Sequence, residues 1–422
     1  MTIEAVRRYP RSTAEMLAAI VDAADPEWTR EGLADALSAH RRGLDDAQAD
    51  AVAGHLLVAF PRQPPDRRDA IAGRIVELAM PPMRERPALR ELWDGLPRYT
   101  DYYALAAAYD MTVPELDWLA DRGTWLRSRT GPLQHYRVTP IPKRRGARVL
   151  EIPKPRLRET QRRILRRVLD RLPPHPAAQG FVAGTSPATF SSPHAGRPVV
   201  IRIDLRRCFE TITVARVRAV FAAVGYPPAV ARALADLCTT TTPAERLVGV
   251  DPVHAAILRS RHLPQGAPTS PALANLVMRT LDRRITGYAH RHGLVYTRYG
   301  DDMALSGTID DPSAVVWVVR QIVADEGFTV HGDKTRIMYA HQQQRLTGLV
   351  INDRPRVCRS EYDDLRALLH NAIRTGARAQ NRDDVGDFEA HVRGRIAWVG
   401  ATSPARRQKL LEMASRVDWS SD

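Results

Sequence analysis

The sequence predicts an α+β protein with a helical N-terminal extension. Residues 1–100 read as short amphipathic helices, whereas from about residue 134 short β-branched runs alternate with helices and basic turns until a helical pattern resumes near 356. The length of 422 residues suffices for two or three domains with ample cores, and the expected divisions are 1–100, 101–355 and 356–422. A peptide hormone, a disulfide miniprotein and a fibrous repeat are excluded. The formal charge of +14 suits a partner of polyanions. Residues 1–100 hold 14 basic and 16 acidic side chains and residues 101–422 hold 48 and 32, so the basic character lies after residue 100.

Within the extension, Ser12 and Glu15 have capping-box spacing at the start of the first helix, and further helices are expected near 29–41, 45–60 and 68–80. PRQPPDRR and MPPMRERP punctuate them, and nothing in this region suggests chemistry. Thr112 and Glu115 repeat the capping box ahead of LDWLADR. The three cysteines form no C-x-x-C or Cys/His cluster, which fits a reducing compartment. No segment reads as a signal peptide or a bilayer span, so a cytoplasmic protein without a membrane partner is expected.

Next comes a hairpin, RVTPIPKRRGARVLEIP with Gly146 in its turn, followed by a basic helix starting near Leu157. Between Arg137 and Arg167 lie twelve Lys/Arg and two acids, Glu151 and Glu159. An isolated basic helix face is usually only solvated. Basic residues on a hairpin and on the helix after it make a groove for phosphates instead.

The run Val199 to Ile203 reads as a buried strand ending at Asp204. A hard carboxylate at a sheet edge suits Mg²⁺, although an Asp after a strand is more often a turn former or helix N-cap. In GLVYTRYGDDMALSG, two apolar runs flank Gly300, Asp301 and Asp302, a hairpin whose tip presents adjacent carboxylates. Like charges side by side raise each other's pKa unless a cation intervenes. Two-metal phosphoryl transfer draws carboxylates from separate strands, and Asp204 lies 97 residues before Asp301. Between them, LPQGAPTSP leads into a helix from about Ser270, with Leu273, Leu276, Val277 and Leu281 on one face. Asp204, Gln265, Asp301 and Lys334 follow one another at separations of 61, 36 and 33 residues.

These blocks resemble the right-hand palm polymerases, and among them the bacterial retron reverse transcriptases. The resemblance runs over roughly residues 100–415 and rests on LPQGAPTSP and YTRYGDDMALSG, supported by HYRVTPIPKRRGARVLEIPKPRLRETQRRI, GFVAGTSPATFSSPHAG, EGFTVHGDKTRI, QRLTGLVIND and VRGRIAWVG. It implies fingers, palm and thumb behind the helical extension, and an RNA-directed DNA polymerase that binds two Mg²⁺ ions. By position, Asp204, Asp301 and Asp302 are the implied catalytic carboxylates and, with the Leu205 carbonyl, the metal ligands. Phe209 matches the aromatic ring that excludes a ribose 2′-OH. Gln265 and Gly266 are expected to line the nucleotide pocket, Lys143 and Arg148 to clamp the triphosphate, and Lys334 to meet pyrophosphate.

The chain departs from the family at Gly300, where retron enzymes usually carry Ala. Phe190 to His194 stand at an Asn-Ala-x-x-His motif, and Leu346, Thr347 and Gly348 at a Val-Thr-Gly motif. His194, Thr347 and Gly348 survive from those motifs and, with Tyr299 and Arg393, are the primer-grip or RNA-contact candidates. The helical thumb is expected to follow an RNA–DNA hybrid with its arginines, and Trp398 to anchor its core. Implied partners are a structured noncoding RNA that serves as template and primer, and an effector protein docked on the extension. The implied product is branched RNA-linked single-stranded DNA used in phage defence. The alternatives are a reverse transcriptase of another bacterial lineage, intron-associated or defence type, an RNA-directed RNA polymerase, and a basic RNA-binding scaffold with a degenerate palm.

Overall fold

The computed structural model describes residues 11–39, 44, 46–77, 93–122, 131, 133–142 and 147–419. They fall in two compact units, Met1–Leu89 and Arg90–Asp422. The boundary thus precedes the expected one at 100. Leu96 and Tyr99 explain why, because both are buried in the core of the second unit.

The first unit contains helices Arg11–Ala24, Arg30–Ala39, Asp46–Ala59 and Arg67–Glu77. Each supplies an apolar pair four residues apart, Leu17 and Val21, Leu33 and Leu37, Val52 and Leu56, Ile71 and Ile75, and all eight are buried together. Side chains four apart stack on one helical face, so these pairs bury four faces in one core. The end expected near residue 80 for the last helix lies outside the described residues.

In the second unit, the Thr112–Glu115 capping box opens helix Val113–Ala120 as the sequence predicts. Strands β1 (Tyr136–Pro142) and β2 (Ala147–Pro153) form the antiparallel basic hairpin, and helix Pro155–Arg167 follows. The expected turn at Gly146 lies outside the described residues, as does Lys143.

The central sheet contains β3 (Val199–Asp204), β4 (Val295–Tyr299), β5 (Asp302–Gly307) and β6 (Arg336–Tyr339) in the antiparallel order β4-β5-β3-β6. Strand periodicity of two sorts its side chains. Val199, Ile201, Ile203, Met303 and Leu305 face a core shared with Leu281, Ile285, Val319 and Val323 of helices Arg279–Arg291 and Pro312–Asp325. On the opposite face, Val200 and Ala304 pack into a second core with the C-terminal helices Arg359–Thr375, Phe388–Gly400 and Pro404–Ala414. That same face carries Arg202, Asp204 and Asp302 toward its other end. The helix after LPQGAPTSP is shorter than expected, Ser270–Val277, and Leu281 belongs to the next helix after a break at Met278. A small sheet of β7 (Arg345–Leu346), β8 (Leu349–Val350) and β9 (Arg356–Val357) precedes the C-terminal helices.

Among the described residues no helix is long and apolar enough to cross a membrane.

Candidate active site

Antiparallel register sets Asp204 at the end of β3 opposite Asp302 at the start of β5. The two-residue β4–β5 turn, Gly300 and Asp301, stands beside them. The Leu205 amide donates to the Asp301 carbonyl at 2.9 Å, and the His331 amide donates to the Asp204 carbonyl at 2.7 Å. Three separate chain segments therefore meet at the end of β3.

Asp204, Leu205, Phe209, Gln265, Asp301 and Lys334 line one open cavity of about 820 Å³, and Arg148 reaches it from β2. Gly266 lies next to it, lining an adjoining cavity with Arg148, Phe209 and Gln265. The structure thus gathers onto one surface residues spread over nearly 190 positions. The Lys334 ammonium donates to both Asp204 carboxylate oxygens, at 2.8 and 3.0 Å. Burial, and then the charge of Asp204, push the Asp301 carboxyl above the ordinary Asp value. Two neighbouring acids beside a cavity, one of them already holding a cation, offer the hard oxygen donors a divalent ion prefers.

Asp302, expected as a third carboxylate of the site, has a partner the sequence did not indicate. Its carboxylate is bound by Arg202, which donates from Nε at 2.9 Å and from Nη2 at 2.8 and 2.9 Å. Both residues lie on the same sheet face, two positions of β3 apart, so the guanidinium reaches across the strand pair. Burial still raises the Asp302 carboxyl although Arg202 opposes it. Among the described residues no three His, Cys, Asp or Glu side chains converge as a ligand set. Of the three implied catalytic carboxylates, Asp204 and Asp301 line the cavity and Asp302 stands beside it, held by Arg202.

His194 also departs from expectation. It is wholly buried, with Nδ1 2.7 Å from Ser306 Oγ and Nε2 2.8 Å from Thr297 Oγ1. Burial, with Arg197 nearby, pushes it down to about 3, so it is a neutral brace between β5 and β4 and touches no surface RNA. Tyr299 is half-buried, its ring 5.8 Å from Phe190 and 5.9 Å from Phe181. Thr347 and Gly348 form the turn between β7 and β8, both at positive φ, and Arg393 is an exposed helical residue paired with Glu389 at 2.7 Å. Trp398 is half-buried against the thumb core, as expected.

Beneath the carboxylate turn lies a layer that the sequence reading missed. Arg298, fully buried on β4, donates to Asp282 at 2.8 and 2.6 Å, to Asn275 Oδ1 at 3.0 Å and to the Gly300 carbonyl at 2.9 Å. The Tyr296 hydroxyl adds a 2.8 Å bond to Asp282, and Asn275 Nδ2 donates to the Gly180 carbonyl at 2.8 Å. A Cβ on Gly180 would fall 2.6 Å from the Gly300 nitrogen, so that approach requires glycine. A Tyr, an Arg and an Asp in mixed positions give no periodic signal. The available clue was a charged residue inside an apolar strand. Phe181, the other missed neighbour, is exposed at φ +60°, an unusual conformation for an aromatic residue, and its ring lies over Gly300.

Residues 141–351 match the family model described as reverse transcriptase (RNA-dependent DNA polymerase). The chain is 38% identical over 322 residues to the retron Mx65 reverse transcriptase of Myxococcus xanthus, covering 75% of this chain and 71% of that one. It is 34% identical over 343 residues to the retron Mx162 reverse transcriptase of the same organism, with coverages of 77% and 68%. With the retron Ec86 reverse transcriptase of Escherichia coli it shares 30% over 293 residues, covering 67% and 81%.

Proposed function

The chain belongs to the retron reverse transcriptases, RNA-directed DNA polymerases with a right-hand fold, and from that premise we propose that it copies part of its own structured noncoding RNA into branched, RNA-linked single-stranded DNA that serves phage defence. The reading includes priming from a 2′-OH of that RNA, an effector protein docked on the N-terminal helices and action in the cytoplasm.

The observation that carries the site assignment is the shared cavity holding Asp204, Asp301, Lys334, Phe209, Gln265 and Arg148. The family is divalent-metal dependent. Asp204, Asp301 and the Leu205 carbonyl are the groups that would hold Mg²⁺, in two copies, which supplies a lowered hydroxyl pKa and charge neutralisation at the phosphates. Asp302, paired with Arg202, adjoins these ligands, and its charge is offset by the guanidinium.

The remaining steps belong to the chain's own side chains. Arg148, together with Lys143, holds the triphosphate of a dNTP, and Gln265 with Gly266 forms the wall against which the nucleotide lies. Phe209 occupies the space a 2′-OH would need and so favours dNTPs over rNTPs. The primer hydroxyl attacks the α-phosphate, the bond to the bridging oxygen breaks, and the pyrophosphate leaves toward the Lys334 ammonium. Tyr299 and the Thr347–Gly348 turn support the primer, and Arg393 contacts the hybrid backbone.

The test is to express the protein with its native flanking DNA, purify it and resolve its bound nucleic acid on a denaturing gel with and without RNase and DNase. A discrete DNA that shortens but survives RNase and is missing from Asp301→Ala is the expected result. Bound RNA without such DNA transfers the assignment to a reverse transcriptase of another lineage. Preferential rNTP use on a supplied primer overturns the role of Phe209.

A further inference from the structure

Behind the nucleotide cavity lies a buried ionic pair that the reaction does not use. Glu151 of β2 and His262 are both almost completely buried, and His262 Nε2 lies 2.9 Å from the Glu151 carboxylate. The other ring nitrogen, Nδ1, lies 2.7 Å from the Ser260 carbonyl. The Ser260 carbonyl only accepts, so Nδ1 carries a proton, and toward an ionised Glu151 carboxylate Nε2 donates as well, which makes the ring an imidazolium. Burial works against that charge, but Glu151 and the Ser260 carbonyl outweigh it and raise the imidazole above its ordinary value.

The pair joins the two sides of the nucleotide cavity. On the hairpin side, Glu151 is three residues along β2 from Arg148. On the palm side, His262 is three residues before Gln265, and its backbone exchanges two 2.9 Å hydrogen bonds with Thr240. The Glu151 amide also donates to the Gln265 carbonyl at 2.9 Å, and the Thr242 hydroxyl donates to the second carboxylate oxygen of Glu151. A second buried pair, Glu210 with His254 at 2.7 Å, stands next to Phe209 on the cavity wall, and the Glu210 charge reaches His262.

We propose that the Glu151–His262 pair is a positioning element for nucleotide binding, clamping the foot of the β1–β2 hairpin to the Gln265 loop so that Arg148 and Gln265 close on the incoming nucleotide in fixed register. It rests on the assignment of that cavity to the dNTP. Neither residue touches substrate. The pair therefore governs nucleotide affinity more than the chemical step or the hold on template.

The experiment is primer extension on an RNA template with KM for dNTP and kcat determined separately, alongside the dissociation constant of the primer–template. His262→Leu is expected to raise the dNTP KM by about tenfold with kcat within about twofold and primer–template affinity unchanged. His262→Gln keeps an amide N–H toward Glu151 and is expected to stay within about threefold of wild type. The double variant Glu151→Gln/His262→Leu leaves no uncompensated buried charge, so it keeps the test open where the single variant fails to fold, and it is expected to repeat the KM defect. A folded double variant with the wild-type KM overturns the proposal. So does a fall in kcat as large as the rise in KM, or a parallel loss of primer–template affinity. Incorporation by the wild-type enzyme reports on the polymerase assignment, and the variant-to-wild-type KM ratio reports on the pair.

Discussion

Two sets of ion pairs meet at the β4–β5 turn, one beneath it and one above. Below, Arg298 and Asp282 are inaccessible to solvent and satisfy each other, Asn275, Tyr296 and the Gly300 carbonyl. Above, Lys334 holds Asp204 and Arg202 holds Asp302, but the Lys334 side chain is 48% exposed and that of Arg202 33%. Pairing distances are short in both sets, yet only the upper one opens onto the cavity side of the sheet. The buried set has no alternative partner, so it fixes the turn. In the exposed set water and ions compete, so its acids are free to exchange one cation for another.

The same chemical change made in the two layers separates them most sharply. Asp301→Asn is expected to reduce incorporation to background while leaving the fold as stable as wild type or slightly more so, because it neutralises a half-buried carboxyl that burial and the charge of Asp204 already disfavour. Asp282→Asn is expected to do the reverse to the fold. Stranding a buried guanidinium costs about 3–5 kcal/mol, a fall in melting temperature on the order of 10 °C. Thermal melts of the two variants beside their incorporation rates check both signs, and an Asp301→Asn protein that melts as early as Asp282→Asn breaks the distinction.

How much of this was legible from sequence follows the same division. The upper layer announced itself through short-range pattern: an apolar run ending in Asp204, a hairpin with Gly300, Asp301 and Asp302 at its tip, and a Gln-Gly loop at 265 and 266. The strand ending at Asp204 and the tip of the hairpin were predicted within a residue of their observed positions. The lower layer was not legible, because Gly180, Asn275, Asp282 and Arg298 come from four elements that only the tertiary fold brings together. The Arg202 partner of Asp302 was not legible for a related reason. Adjacency in sequence to Asp301 suggested a shared ion, but strand alternation and the neighbouring Arg202 give it a different partner. His194 likewise carried the motif of a contact residue and turned out to be core, since its ring satisfies two hydroxyls on the sheet.

Lys334 sharpens the comparison at intermediate scale. Its pair with Asp204 is half in solvent, so Lys334→Ala is expected to change stability by no more than about 1 kcal/mol. Incorporation is expected to fall by about 10²-fold, the usual range for a group that receives charge at the leaving oxygen, with Lys334→Arg recovering part of it. Urea denaturation and single-turnover incorporation on the three proteins measure the two effects separately. Equal losses of stability and rate would make Lys334 part of the scaffold.

The smallest expected effect concerns what touches the turn from above. Gly300 sits at φ +64°, and a Cβ there would meet the Phe181 ring at 3.1 Å. Alanine in the left-handed region costs about 1 kcal/mol, and the exposed Phe181 ring has room to move by the few tenths of an ångström required. Gly300→Ala is therefore expected to shift the urea midpoint slightly and to keep most of the incorporation rate. Combining it with Phe181→Ala isolates the contact, since removing the ring should recover only the steric part and leave the backbone part. If instead Gly300→Ala costs as much as Asp282→Asn and Phe181→Ala restores it, the turn is clamped from the cavity side as firmly as from below. The upper layer would then be part of the rigid frame, and exchange of cations at Asp204 would require the aromatic ring to move first.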